Sequence, residues 1–126
     1  MSMQTPLRRI LHFGAAHDGT GTFWIQRLTG AGMAILVIGF AVILAMTIGR
    51  PYEQVVAVLG SPIASAILAL MVVAMVVHMR IGMQEIIEDY IQGAGLRLLC
   101  LAANTFFAFA IAAVGLLAIV KLALGA

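Results

Sequence analysis

The chain has 126 residues, of which 63% are hydrophobic and 10% are charged. A typical soluble domain is roughly 25% charged, so this composition and a mean hydropathy of +1.14 exclude an ordinary cytosolic enzyme and an intrinsically disordered chain. The formal net charge of +2 is too small for the basic surface that nucleic-acid binding requires, and a single cysteine excludes a disulfide framework and a thiolate cluster for zinc or iron–sulfur ligation.

Three long uncharged runs follow one another along the chain, at residues 28–48, 55–79 and 98–120. Each is long enough to cross a hydrocarbon core of about 30 Å, which takes about 20 helical residues. Because backbone polar groups in lipid must be satisfied within their own segment, each run is expected to be a helix. The sequence therefore predicts an all-α membrane protein with three transmembrane helices, forming one membrane domain over residues 1–126.

Capping signals place the expected helices at about residues 23–48, 58–92 and 97–123. Thr22 is a candidate N-cap for the first helix, and Gly49 provides a stop after it. Ser61 and Pro62 are typical of an N-cap followed by the first helical residue. Residues 55–59, which are apolar, either begin the second helix earlier or lie at the membrane interface.

Basic residues are divided unequally between the two membrane sides. One side holds the N-terminal arm, residues 1–22, and the connection between the second and third helices. Its basic residues are Arg8, Arg9, Arg27, Arg80 and Arg97, whereas the other side has Arg50 and Lys121. The positive-inside rule then predicts a cytoplasmic N-terminus and a periplasmic C-terminus. The arm lacks the pattern of a secretory signal or a transit peptide, so we expect it to be retained, in a bacterial cytoplasmic (inner) membrane.

His78 is the one deep histidine of the chain, near the cytoplasmic end of the second run. A histidine in hydrocarbon requires a hydrogen-bond partner or a metal. At about 100° per residue, Gly82, Glu85 and Asp89 lie on the same helix face. Gly82 leaves room for a flat macrocycle or another helix to approach one turn from the imidazole. The alternatives are a histidine that bonds a neighbouring helix or reaches the membrane interface, and a glycine that serves ordinary helix packing.

A haem fits this helix face, because imidazole is a strong axial ligand of iron and the sequence offers no other ligand set. His12 and His17 lie in the polar arm, where we expect them to be solvated. A haem with two histidine ligands would therefore need its second ligand from another polypeptide. The haem hypothesis thus also predicts a hetero-oligomer.

Asp89 and Tyr90 lie about 16 Å along the helix axis from His78, which places them at the headgroup boundary. A tyrosine hydroxyl there can donate a hydrogen bond to a carbonyl oxygen, and an adjacent carboxylate can orient it or relay protons. Reduction of a quinone to a quinol requires such groups. The alternative is an interfacial tyrosine beside a solvated acid, and Glu85 and Glu88 are expected to be solvated as well.

Arg27 opens the first run on the same membrane side as His78. Its guanidinium can pair with a haem propionate or with a carboxylate such as Asp89. Alternatively, it reaches lipid phosphate beside an aromatic anchor, Trp24. In the third run, Asn104 is expected to bond a neighbouring helix.

The pattern His78-x3-Gly82-x6-Asp89-Tyr90 on a second transmembrane helix resembles the small hydrophobic anchor subunit of succinate dehydrogenase, the D-type anchor of respiratory complex II. The resemblance covers nearly the whole chain. It includes the length, the three spans, the expected orientation, the position of Arg27 and the continuous run of residues 78–91.

This resemblance implies that the chain pairs with a second three-helix anchor of the cytochrome b type, and that the two fix the iron–sulfur and flavoprotein subunits to the cytoplasmic face. It implies that His78 is one axial ligand of a shared haem b, and that the partner anchor donates the other. Tyr90 would bond a ubiquinone carbonyl with Asp89 beside it, and Arg27 would lie in the haem propionate and quinone region. Neither anchor oxidises succinate, so this chain would be a non-catalytic part of the oxidoreductase.

Two other functions are compatible with the sequence. One is a related anchor without haem, as in some fumarate reductases, in which His78 is only a packed polar group. The other is a small proton-coupled transporter that uses Glu85 and Asp89. Transporters usually hold their coupling acid near the membrane midplane, however, and these acids cluster at one end of the span.

Overall fold

A computed structural model describes residues 19–125. Four helices follow in chain order: α1 (Gly19–Thr47), α2 (Tyr52–Leu59), α3 (Pro62–Tyr90) and α4 (Ala94–Ala123). Over these residues there are no strands, and α1, α3 and α4 are long and apolar enough to cross a membrane. The expected all-α architecture with three candidate spans is confirmed for this part of the chain.

The start of α1 differs from the expectation. Residues 19–22 are already helical, so Thr22 lies within α1 and is not the N-cap. The first N–H groups of a helix have no partner within it, and one additional turn moves them from the apolar start at Phe23 toward the polar arm. At the other end the stop is as expected, because Gly49 adopts a φ of 72° two residues after Thr47.

Residues 55–59 belong to neither spanning helix, because they lie in the separate short helix α2. The second span begins at Pro62 rather than at residue 58, with Ser61 as its N-cap in an extended conformation. Proline restricts the residue before it to such a conformation, which ends any continuity with α2. The Ser61 hydroxyl donates to the carbonyl oxygen of Val58 at 2.7 Å, so it bonds backward to α2 and does not cap α3.

The turn between α2 and α3 packs against the last turn of α4. A Cβ atom added at Gly60 would lie 2.6 Å from the carbonyl oxygen of Leu122. A side chain at this position would therefore force the backbone of the turn away from α4.

Helix α3 ends at Tyr90, where Ile91 has an extended conformation, and α4 begins at Ala94. The expected boundaries at residues 92 and 97 were two and three residues too late. The connection is therefore very short, and it places the polar end of α3 beside the beginning of α4.

The spanning helices form a single layer with α3 in the centre. Helices α1 and α4 each pack against α3, and among the described helices these two make no contact with each other. The buried side chains lie mostly along α3, and they are Ile43, Ala64, Val76, Ile81, Ile87, Asn104 and Ala108. Most other large apolar side chains are exposed, so lipid or other proteins must cover the two faces of this layer.

Candidate functional site

His78 lies on the face of α3 that packs against α1, and its side chain is half-buried. Its Nδ1 atom is 3.1 Å from the carbonyl oxygen of Gln26 and 3.3 Å from Oγ1 of Thr29. Both partners belong to α1, so the histidine bonds a neighbouring helix through one ring nitrogen.

The two partners determine which ring nitrogen carries hydrogen. The carbonyl oxygen of Gln26 can only accept. The Thr29 hydroxyl has acceptors for its own hydrogen within α1, at 2.8 Å to the oxygen of Ile25 and 3.1 Å to that of Gln26, so it can turn a lone pair toward His78. The Nδ1 atom of His78 is therefore the donor, and in the neutral ring Nε2 carries the lone pair.

Nothing between residues 19 and 125 forms a hydrogen bond with Nε2 of His78, and this atom is not enclosed by the chain. In metal sites, a ligating histidine commonly donates its other ring N–H to a backbone carbonyl, which orients the ring and makes it a better ligand. His78 has this arrangement. No group of three or more histidine, cysteine or acidic side chains that could hold a metal occurs within the described range, so among these residues His78 stands alone, which fits a single axial position of a haem.

Two glycines permit the close approach of α1 to α3 at this point. A Cβ atom on Gly30 would lie 3.3 Å from Cε1 of His78, and one on Gly82 would lie 3.0 Å from Nε2 of Gln26. The space at Gly82 therefore receives the side chain of Gln26, which corresponds to the helix-packing alternative for this glycine. The Oε1 atom of Gln26 is enclosed and has no hydrogen-bond partner among residues 19–125.

Asp89 and Tyr90 lie in the last turn of α3. Along the axis of this continuous helix, Tyr90 is about 18 Å from His78. Tyr90 is 82% exposed, and Asp89 is also exposed. Glu85 and Glu88 are exposed too, and Glu88 accepts a hydrogen bond from Nε2 of Gln84 at 2.8 Å. The structure therefore keeps the phenol and the imidazole at two separate positions of one helix.

Arg27 is exposed near the beginning of α1, with its guanidinium 4.5 Å from the centre of the Phe23 ring. The Phe23 ring in turn packs edge-on against Trp24, with 5.8 Å between ring centres. Among residues 19–125, Arg27 forms no ion pair with Asp89. An aromatic neighbour is thus present as expected, although it is Phe23 that the guanidinium contacts.

Asn104 bonds a neighbouring helix, as expected. Its Nδ2 atom donates to the carbonyl oxygen of Arg80 in α3 at 2.9 Å, and the side chain is only 9% exposed. This bond joins α4 to α3 on the side of α3 that faces away from α1.

The sequence reasoning missed Gln26, Thr29 and Gly30, which surround the imidazole. Their spacing could have indicated that they act together, because residues three and four positions apart lie on one helix face. The Gln26 contact is made by a backbone atom, however, and no residue type identifies such a contact. His12, His17 and most of the N-terminal arm lie outside the described residues.

Comparisons with known proteins agree on one family. A sequence model described as the transmembrane subunit of succinate dehydrogenase and fumarate reductase matches residues 1–119. The chain is also similar to a protein of Paracoccus denitrificans named succinate dehydrogenase hydrophobic membrane anchor subunit. The two are 32% identical over 122 residues, which span 97% of this chain and 94% of the relative. No solved structure matches.

Proposed function

Because the chain belongs to the family of succinate dehydrogenase and fumarate reductase transmembrane subunits, we propose that it anchors a succinate:quinone oxidoreductase and shares both haem ligation and quinone reduction with its partners. Membership of this family makes the chain part of an oxidoreductase complex. Within that complex, particular roles fall to His78, Gly82, Arg27, Asp89 and Tyr90.

The observation that carries the haem assignment is the state of the His78 ring. The Nδ1 atom donates to the carbonyl oxygen of Gln26, which leaves the lone pair of Nε2 free to bind the iron of a haem. Bound there, haem b supplies a one-electron redox centre within the membrane. The chain itself holds the ring in one orientation and one tautomer, and Gly82 allows α1 to approach closely enough to do so.

Two features support a second anchor subunit: this chain offers a single deep histidine, and the faces of its three-helix layer are broadly exposed. This chain offers one deep histidine, so a second axial ligand comes from a second three-helix anchor of the cytochrome b type. The broad exposed faces of α1, α3 and α4 give that partner a large apolar surface for packing. The iron–sulfur and flavoprotein subunits complete the assembly at the end of the layer where α3 stops.

The proposed quinone site lies at that same end. The Tyr90 hydroxyl donates to a ubiquinone carbonyl oxygen, and Asp89 orients the phenol or relays a proton from water. Reduction to ubiquinol takes up two electrons and two protons, so the site must lie where the apolar membrane meets an aqueous subunit. Arg27, at the beginning of α1, supplies positive charge for a haem propionate or for the quinone region.

The orientation follows from the distribution of basic residues, with the N-terminus in the cytoplasm and the C-terminus in the periplasm. The ends of α3 and α1 that carry Tyr90 and Arg27 then face the cytoplasm. The proposed location is the inner membrane of a bacterium, with the quinone site on the side where succinate is oxidised.

The quinone role is tested by comparing Tyr90→Phe with Tyr52→Phe in the purified complex. The two tyrosines are equally exposed, at 82%, and lie near opposite ends of the layer, so each substitution removes one hydroxyl and little else. Loss of one hydrogen bond to the quinone carbonyl is expected to lower succinate:ubiquinone turnover about tenfold in Tyr90→Phe. Succinate oxidation by an artificial acceptor should remain unchanged, and Tyr52→Phe should resemble the wild type in both assays.

Unchanged ubiquinone turnover in Tyr90→Phe would contradict the quinone assignment. An equal fall in both assays would point to failed assembly, and purification from native membranes with mass spectrometry of the bound subunits decides that. Recovery without any flavoprotein subunit, together with substrate flux in proteoliposomes, would instead favour the transporter. A complex without b-type haem bands would favour the haem-free anchor.

A further inference from the structure

Two acceptors from α1 converge on a single nitrogen of His78. The carbonyl oxygen of Gln26 lies 3.1 Å from Nδ1, and Oγ1 of Thr29 lies 3.3 Å from it. The Gln26 contact uses the main chain and survives most substitutions. The Thr29 contact uses a side chain, so a substitution at this position can remove it.

Helix α1 can present both acceptors because of two local features. Gly30 has no side chain, and a Cβ atom there would lie 3.3 Å from Cε1 and 3.6 Å from Nδ1 of His78. The imidazole therefore approaches the main chain of α1 closely enough to reach a carbonyl oxygen. The Thr29 hydroxyl donates to Ile25 within α1, at 2.8 Å, which leaves an oxygen lone pair for the imidazole.

We infer that Thr29 is a positioning residue that, together with the carbonyl oxygen of Gln26, sets the electron density on Nε2 of His78 and thereby lowers the midpoint potential of the haem. This inference rests on the proposed role of His78 as an axial ligand. Thr29 acts only through His78.

The physical reason is the charge that the imidazole acquires. A second acceptor on Nδ1–H draws this hydrogen away from the ring, so the ring gains anionic character and Nε2 becomes a stronger donor. A stronger donor stabilises oxidised iron relative to reduced iron. Hydrogen bonds to the N–H group of an axial histidine are among the means by which a protein adjusts the midpoint potential of a haem.

The test compares Thr29→Val with Thr47→Val in the purified complex by redox titration of the haem. Thr47 is a matched control, because it also lies in α1 and its hydroxyl also donates within the helix, to the oxygen of Leu44 at 2.8 Å. Valine keeps the shape of threonine and removes the hydroxyl. We expect a positive shift of the midpoint potential in Thr29→Val alone, with haem content unchanged, and a return to the wild-type potential in Thr29→Ser.

A wild-type potential in Thr29→Val, or an equal shift in Thr47→Val, would overturn the inference. If Thr29→Val assembles without haem, Thr29→Ala replaces it, and equal potentials for Thr29→Ala and Thr29→Ser would overturn the inference in the same way. His78→Ala separates the role of Thr29 from that of His78. Haem retained in His78→Ala would refute the ligand assignment itself, whereas haem lost there with no shift in Thr29→Val would refute only the role of Thr29.

Discussion

Helix α3 makes an interface with each of the other two spanning helices, and each interface contains one polar side chain that reaches a backbone carbonyl of the adjacent helix. At the α1–α3 interface His78 donates to the oxygen of Gln26 at 3.1 Å. At the α3–α4 interface Asn104 donates to the oxygen of Arg80 at 2.9 Å. In both places the hydrogen bond satisfies a polar group that would be costly to leave unpaired in a membrane.

The two interfaces differ in the kind of side-chain atom that forms no hydrogen bond with residues 19–125. Asn104 is 9% exposed, and beyond its bonded Nδ2 atom it offers only an amide oxygen, which is not a typical axial ligand of haem iron. His78 is half-buried and keeps a second nitrogen that no residue between 19 and 125 engages. The same kind of hydrogen bond therefore joins two helices at one interface, and at the other it also orients a ring nitrogen that has a free lone pair. On the basis of this difference, the proposed function gives His78 the role of a haem ligand and Asn104 the role of joining two helices.

The largest expected effect separates the two polar residues directly. His78→Ala is expected to abolish the b-type bands in a reduced-minus-oxidised optical spectrum of the complex, because it removes the proposed axial ligand of the haem. Asn104→Leu is the control, and its spectrum should match the wild type. Bands unchanged in His78→Ala would remove the distinction between the interfaces.

A pair of glycines provides a second comparison, because the contacts are almost equally tight. An added Cβ would lie 3.3 Å from His78 at Gly30 and 3.2 Å from Val72 at Gly115. In either alanine variant a steric cost of about 1–3 kcal/mol is partly offset by a gain of about 1 kcal/mol in helix propensity. The two thermal stabilities should therefore fall by similar amounts.

The haem spectrum should distinguish the two alanine variants. Gly30→Ala pushes the imidazole away from α1, so its b-type bands or haem content should change, whereas those of Gly115→Ala should not. Identical spectra for the two variants would indicate that the ring position does not depend on α1.

Asn104→Leu should have a smaller effect on stability. Interhelical hydrogen bonds in membrane proteins contribute about 0.6 kcal/mol on average and about 1.7 kcal/mol at most. We expect a loss in this range, measured as the unfolding free energy of the complex in detergent. A loss of several kcal/mol would mean that Asn104 does more than join α4 to α3.

The smallest expected effect belongs to Gln26→Leu. This substitution removes an enclosed Oε1 atom that has no partner among residues 19–125, and it keeps the backbone carbonyl that His78 uses. Removing an enclosed polar atom that has no partner breaks no hydrogen bond within these residues, and leucine has a similar size. Haem content, midpoint potential and stability should all stay close to wild type. A large fall in any of them would indicate a donor to Oε1 outside residues 19–125.

The sequence predicted the spans well because an apolar run of about 20 residues without charge is typical of a membrane-spanning helix and rare elsewhere. It also identified Ser61 and Pro62 at the start of the second span and Gly49 at the end of the first. It did not predict that Thr22 lies within α1 or that Tyr52–Leu59 form a separate helix, because a capping residue is only a local signal and the residues before it can also be helical.

The site was predicted only in part for a different reason. His78 and Asn104 could be identified because a polar residue in an apolar run is costly, but their partners could not. Both partners are backbone carbonyls, which every residue possesses, so the packing of the helices determines which one is reached. The helical face of His78 likewise indicated Gly82 but not whether a macrocycle or the side chain of Gln26 would lie against it.

The most direct test of the role of His78 is an experimental structure of the assembled complex with its haem. We predict that Nε2 of His78 is bonded to the iron, that Nδ1 of the same ring donates to the carbonyl oxygen of Gln26, and that the opposite ligand comes from a partner subunit. An iron atom with both axial ligands from other chains, or a His78 ring turned toward lipid, would contradict this prediction.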